Sequence, residues 1–335
     1  MKFKNILITG GAGYCGSVLT PQLLDMGYVV TVYDILYYGK DFLPLDHPNL
    51  TVVEGDIRDT ATLAKHLVEI EAVLHLGCIS NDASFVLDEA LSTSVNLDAF
   101  EPMVVAAKKA SVKRFVYASS SSVYGVSEEP DVTEDHPLVP LTLYNEYKGM
   151  CEPRLFKHTD ENFTGVVFRP ATVCGYGPRQ RLDVSVNILT NLAVNKGKIT
   201  VFGGSQLRPN LHIQDYADLC KLLLEAPDEK IADGVYNCGF QNMSIMDIAL
   251  VVKKVVEEEF PDQGEIEIET TPTDDIRSYH INSDKIKREL DFAPSHSIEE
   301  AVRDLCQAFR DGKLSDSFDD DSYYNVRTMQ AIGAK

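Results

Sequence analysis

Thr9-Gly10-Gly11-Ala12-Gly13-Tyr14-Cys15-Gly16 is the stretch that decides the fold. Its glycines at 10, 13 and 16 give the spacing G-x-x-G-x-x-G, directly after the apolar run Asn5 to Thr9 and at the opening of a helical pattern. In that setting each glycine has its own task. Gly10 permits a tight turn, Gly13 lets the backbone approach a pyrophosphate, and Gly16 allows the helix to pack closely on the strand. The helix N-terminus turns unsatisfied N–H groups and a partial positive charge toward the same point. Gly10, Gly13, Tyr14, Cys15 and Gly16 are therefore the candidate residues for a dinucleotide. Asp34 ends the second apolar run. A carboxylate there accepts hydrogen bonds from the adenine ribose hydroxyls and repels a 2′-phosphate, which favours NAD over NADP. Further on, Asp56 is positioned to accept from the adenine amino group and Ile57 to pack on the ring, while Asp59 suits the N-cap of a helix from Thr60.

Working outward, short β-branched runs alternate with helical patterns, the rhythm of a parallel, doubly wound sheet. Strands are expected at Asn5 to Thr9, Val29 to Tyr33, Thr51 to Glu54, Ala72 to Leu76, Arg114 to Ala118 and Thr164 to Phe168. Helices are expected at Ser17 to Met26, Thr60 to Glu69, Ser92 to Ala110 and from Leu143 onward. The fold class is α/β, a Rossmann doubly wound parallel sheet with a smaller C-terminal α/β substrate lobe. Residues 1–170 form the NAD-binding domain, with segments near 205–240 as candidates to return to it. Residues 171–315 are mostly the substrate lobe, and 316–335 an acidic, solvated tail.

A formal charge of −20, from 31 basic against 51 acidic residues, excludes a nucleic-acid partner but leaves room for a small anion held by a few arginines. Seven scattered cysteines with no Cys-x-x-Cys pair argue against a disulfide framework or a metal site. The chain opens straight into a strand, and no apolar run approaches the roughly 18 residues a membrane span needs. A soluble, cytoplasmic protein is expected.

Tyr144 and Lys148 stand four apart in Tyr144-Asn145-Glu146-Tyr147-Lys148, hence on one helix face. Ser119-Ser120-Ser121-Ser122-Val123-Tyr124-Gly125 follows the fifth strand, at the sheet edge where ligands bind. A nearby ammonium draws a phenol with pKa near 10 toward the working range of a base, and a serine hydroxyl beside it can hold the substrate oxygen. Taken together, these segments resemble the extended short-chain dehydrogenase/reductases of the NAD-dependent epimerase/dehydratase family. The resemblance also covers Arg169-Pro170-Ala171-Thr172, Gly175 to Arg179, Arg208 to Asp215 and Asp275-Ile276-Arg277.

The resemblance implies Tyr144 as base, Ser120 as its hydroxyl partner (four positions before Tyr124) and Lys148 as the residue that binds nicotinamide ribose and tunes Tyr144. It implies a nucleotide-sugar substrate and a homodimer built on the helices Ser92 to Ala110 and Leu143 to His158. Family 4,6-dehydratases carry an Asp-Glu pair after the hydroxyl residue, whereas this chain has Ser121 and Ser122. Without that pair dehydration loses its general acid. What is left is oxidation of a sugar hydroxyl, at C4 by expectation, followed by re-reduction (an epimerase) or by release of the keto-sugar (a dehydrogenase). A catalytically silent NAD-binding scaffold is the reading from another class. Arg208 and Arg277 are the candidates for a substrate diphosphate, because guanidinium forks match phosphate oxygens. Ser80, Asn81, Thr172, Arg181 and Asn187 are the remaining substrate-pocket candidates, and Pro153 is expected to kink or shorten the Leu143 helix.

Overall fold

The strand signals of the first half assemble into one parallel sheet. The computed structural model describes residues 1–274 and 277–334; Asp275 and Ile276 of the resemblance lie outside the described residues. In chain order the strands are β1 (Asn5–Thr9), β2 (Val29–Asp34), β3 (Leu50–Glu54), β4 (Ala72–His75), β5 (Arg114–Ala118), β6 (Thr164–Pro170), β7 (Thr172–Cys174), β8 (Lys198–Phe202), β9 (Leu207–His212), β10 (Gly234–Cys238), β11 (Gln241–Ser244) and β12 (Glu267–Thr271). Seven of them form a sheet in the order β10-β6-β5-β4-β1-β2-β3, with every neighbouring pair parallel. This is a Rossmann-type α/β fold.

Strand periodicity decides which helix each residue meets. Ile6 and Ile8 of β1 face Leu19, Leu23 and Leu219, from the helices Tyr14–Asp25 and Ile213–Glu225. Leu7, between them, faces the opposite core, which holds Leu63, Met103 and Cys151. Those come from the helices Thr60–His66, Phe100–Lys109 and Leu143–Phe156. Covered on both faces, β4 and β5 are buried along their full length. The chain moves outward from β1 to β3 and then crosses back to β4. The order therefore reverses between β1 and β4, and a crevice opens at their carboxyl ends.

The second lobe has two small sheets, β11-β9-β7 and β12-β8. The helices Ser185–Lys196, Ile245–Glu259 and Ile298–Arg310 close over them around Leu189, Val201, Val252 and Val302. After this lobe has begun, β10 returns to the large sheet beside β6.

Three details depart from the sequence expectations. The helix expected over Ser92 to Ala110 is interrupted: Glu89–Thr93 is followed by a π-helical turn at Ser94–Asp98 and then by Phe100–Lys109. The wider turn carries Asn96, whose amide holds Ile79 from both sides at 2.9 Å and so fixes the segment after β4. Pro153 does not end the Leu143 helix; the helix runs on to Phe156, so the proline sits near its C-terminal end and removes the one bond that an N–H at 153 would donate to Gly149 O. The acidic residues Asp316, Asp319, Asp320 and Asp321 are exposed, but the chain after them is not a solvated tail. Asn325–Ala331 is a helix with Asn325, Thr328 and Met329 buried against the rest of the molecule.

Candidate active site

The crevice between β1 and β4 deepens into a cavity of about 570 Å³ between the two lobes. Every site residue singled out from the sequence lines it, with the exception of Asn187. Asn187 is fully buried beneath the wall, where its amide bonds Gly175 N at 3.0 Å, Arg181 O at 2.8 Å and the Tyr14 hydroxyl at 3.1 Å. With its polar atoms occupied by the protein, Asn187 braces the pocket and is not a substrate contact.

At one end is the glycine loop. Gly10 takes a φ of +71°, and a Cβ there would meet Gly77 Cα at 2.5 Å, so the close approach of β1 and β4 requires glycine. A Cβ on Gly16 would lie 2.5 Å from Gly11 O, so the first turn of the helix packs directly on the backbone of the glycine loop. Gly13 differs: a Cβ there would find only Gly10 O, at 3.2 Å, and the side chain would stand in the cavity. Asp34 closes β2 with its carboxylate accepting from Ala12 N at 3.0 Å and Leu36 N at 2.9 Å. Burial raises its pKa, with those amides and Arg179 opposing. Asp56 is a half-buried wall residue; burial pushes its carboxyl up, but its pairing with Arg58 outweighs this and lowers it. Asp59 caps the next helix, accepting from Thr62 N.

At the other end, Thr142 caps the helix Leu143–Phe156, which presents Tyr144, Lys148 and Glu152 at successive four-residue steps. Ser120 caps the 3-10 turn Ser121–Tyr124 and meets Ser122 Oγ at 2.7 Å; Ser122 in turn donates to Asn145, beside Tyr144. A chain of neutral hydroxyls thus links the β5 end to the Tyr144 helix. Lys148 is buried, with Nζ 2.8 Å from Ala118 O. Burial holds the Tyr144 phenol well above its ordinary value; Cys78, Asp82 and Tyr279 push the same way and Arg181 opposes.

Glu152 was not singled out, although its four-residue step from Lys148 was visible. It pairs with Arg169 through two bonds of 2.9 and 2.6 Å and accepts from Ser119 Oγ at 2.6 Å. Both members of the pair are buried. They bolt the Tyr144 helix to the ends of β5 and β6.

The far wall carries the arginines. Arg208 donates to Leu207 O and Arg277 O and stands over the Tyr279 ring. Arg277 pairs with Asp82 at 2.5 Å, and Asp82 also accepts from Thr142 at 2.6 Å, so this pair spans the cleft between the lobes. Arg181 bonds Asp183 at 2.8 Å and Ser80 at 3.2 Å. Thr172 lines the wall from β7, while Asn81 caps the turn Asp82–Phe85.

Residues 6–239 match the model of the NAD dependent epimerase/dehydratase family. The chain belongs to that family. It is 29% identical over 325 residues to the UDP-glucose 4-epimerase of Bacillus subtilis, covering 89% of this chain and 95% of the relative. It is 28% identical over 309 residues to a dTDP-glucose 4,6-dehydratase of Streptomyces griseus, covering 89% and 92%. Among solved structures, MoeE5 in complex with UDP-glucuronic acid and NAD superposes with a TM-score of 0.78 at 26% identity, covering 92% of this chain and 99% of that one.

This epimerase/dehydratase-family chain is an NAD-dependent, nucleotide-sugar-modifying enzyme. Its cleft fits the cofactor on its own terms. Gly13 leaves a cradle that a side chain would fill, a helix begins at Tyr14, and a carboxylate stands at the end of β2. Among the described residues no group of three His, Cys, Asp or Glu could hold a metal ion, and no helix is long and apolar enough to cross a membrane.

Proposed function

We propose that this enzyme is a nucleotide-sugar epimerase that oxidises the sugar at C4 and re-reduces it on the opposite face. The observation that carries this reading is the neutral hydroxyl chain Ser120–Ser122–Asn145 beside Tyr144. It supports proton transfer at one sugar oxygen, and it lacks the carboxyl acid that elimination of water would need at those positions. The similarity to UDP-glucose 4-epimerases supports the same choice.

NAD supplies the hydride acceptor when bound. Burial favours the neutral Tyr144 phenol; the Lys148 ammonium and the positive nicotinamide ring of bound NAD would oppose it. Tyr144 thereby takes the C4 hydroxyl proton as the carbinol C–H bond breaks and its hydride leaves with the electron pair. Ser120 donates to the oxygen that becomes the carbonyl. Return of the hydride to the opposite face of C4 and of the proton to its oxygen would restore a hydroxyl of inverted configuration, so no electrons are gained or lost overall. Lys148 holds the nicotinamide ribose, with Gly10, Gly13, Tyr14, Cys15, Gly16, Asp34, Asp56 and Ile57 along the dinucleotide. Arg208 and Arg277 hold the sugar nucleotide's diphosphate, Ser80 and Asn81 touch the sugar, and Thr172 and Arg181 line the same substrate pocket. The enzyme acts in the cytoplasm as a homodimer, for which Leu143 and Met150, exposed at a seven-residue spacing on the Tyr144 helix, offer an apolar stripe.

Incubation with a panel of UDP- and dTDP-sugars tests the reading. The expected result is a C4 stereoisomer without net NADH, falling by roughly 10²–10⁴-fold in Tyr144→Phe. Stoichiometric NADH with a released keto-sugar means a dehydrogenase, and unchanged turnover in Tyr144→Phe contradicts the assignment of the base.

A further inference from the structure

The C-terminal helix Asn325–Ala331 is part of the cavity wall: Asn325 and Met329, one turn apart, both line it. Met329 packs with Ile79 and Leu91. Asn325 ties three separate segments together. Its Oδ1 accepts from Arg179 Nη2 at 2.7 Å, its Nδ2 donates to Ser80 Oγ at 3.0 Å, and its backbone N–H donates to Asp183 at 3.1 Å. Ser80 Oγ also accepts from Arg181, so one asparagine and one serine connect both guanidinium groups.

Those groups are unusual. Arg179 is 4% exposed, lies flat on the Tyr38 ring at 3.7 Å, and has a buried Nε that bonds no described protein atom. Arg181 has a buried Nη2 in the same condition. The two buried guanidinium groups face Asp183, which pairs directly with Arg181, and Asp34, which acts on Arg179 without a direct bond. Burial, and after it Arg181, bring the Arg179 pKa down to about 10, with Tyr38, Asp183 and Asp34 opposing. Orphaned buried donors on two neighbouring cations at a cavity wall call for an anionic acceptor. The pair stands beside the glycine loop: Arg179 N donates to Ser17 Oγ at 3.1 Å, and both charges act on Cys15.

We infer that Asn325 is a positioning residue which, with Ser80, aims Arg179 and Arg181 at a diphosphate in the cleft. A diphosphate reaches this enzyme from two sources, the dinucleotide and the nucleotide sugar, and the functional reading above supplies both probes. The C-terminal helix is on this account a working part of ligand binding, absent from the fold's glycine-loop half and added from the opposite end of the chain.

The test is calorimetric titration of the full-length protein, freed of nucleotide, with NAD+ in one arm and UDP in the other. Asn325→Ala is expected to weaken at least one arm by about tenfold while the melting temperature moves by only a few degrees. The affected arm identifies the source of the diphosphate. Asn325→Asp keeps an acceptor for Arg179 but adds a negative charge beside it. A purely structural role predicts stability and binding that are kept or improved; the positioning role predicts that stability is kept and binding of the anion is lost. Both affinities within twofold of wild type in the two variants overturn the inference alone. A wild-type protein that binds neither NAD+ nor UDP overturns the functional reading and the inference with it.

Discussion

The glycine loop and the C-terminal helix face the same cleft but reach it by different means. The loop is built locally: Gly13 N bonds Gly10 O at 3.0 Å, Gly10 N bonds Tyr33 O at 3.1 Å, and Ala12 N bonds the Asp34 carboxylate at 3.0 Å. Backbone stereochemistry dictates that shape, and the sheet holds it. The helix Asn325–Ala331 is too short to persist alone in water. It is held by side chains far away in the chain, Asp183, Arg179 and Ser80, through hydrogen bonds each worth about 1 kcal/mol net. The difference teaches that one wall of the site is inseparable from the fold, whereas the other can be altered while the fold stands.

Changes on the sheet side should therefore appear first as lost stability. The largest effect is expected for Glu152→Ala. It leaves Arg169 buried without its carboxylate, at a cost of about 3–5 kcal/mol, measurable by denaturant unfolding. A loss under about 1 kcal/mol would mean that the pair does not bolt the Tyr144 helix to the sheet. Next is Gly16→Ala, whose Cβ falls 2.5 Å from Gly11 O. The backbone must shift, at about 1–3 kcal/mol, and affinity for NAD should fall with stability. Unaltered stability with lost NAD affinity would blur the contrast with Asn325.

The effect that vanishes at neutral pH comes last. His75, buried beside Tyr117 and bonded to Thr9 Oγ1, has its pKa lowered to about 3 by burial and then by the Lys148 ammonium. The folded-state pKa lies below the unfolded value of about 6.5, so between the two only the unfolded chain takes up the proton. This group then costs up to about 1.4 kcal/mol per pH unit as pH falls from 6.5 toward 3, and nothing above 6.5. Unfolding free energies measured from pH 7 to 4 should show a shallower slope in His75→Gln than in wild type.

What the sequence disclosed follows the same division. Asn5–Thr9 and Arg114–Ala118 were legible as strands because Ile6, Leu7 and Ile8, and Phe115, Val116, Tyr117 and Ala118, are consecutive apolar residues buried on both faces. The glycine spacing, Asp34, Tyr144 and Lys148 were legible because their positions repeat along regular elements. The strands β7, β9 and β11 were missed, since β7 spans only three residues and β9 and β11 (Leu207–His212 and Gln241–Ser244) are largely polar and lack an apolar run. Asn187 was polar and near the pocket in sequence, but whether an amide meets ligand or backbone is decided by tertiary contacts. Arg179 stood inside a quoted motif without a role, and Asn325 gave no local signal; its partners lie 142 to 245 residues away.

The most direct test of the central claim is turnover of a UDP-sugar carrying deuterium at C4, with mass and NMR analysis of the product. The account predicts a C4 epimer with deuterium retained at C4, because the same hydride leaves and returns, and with no accumulation of reduced cofactor. Deuterium found in released NADH, or lost from the sugar to solvent, would contradict it.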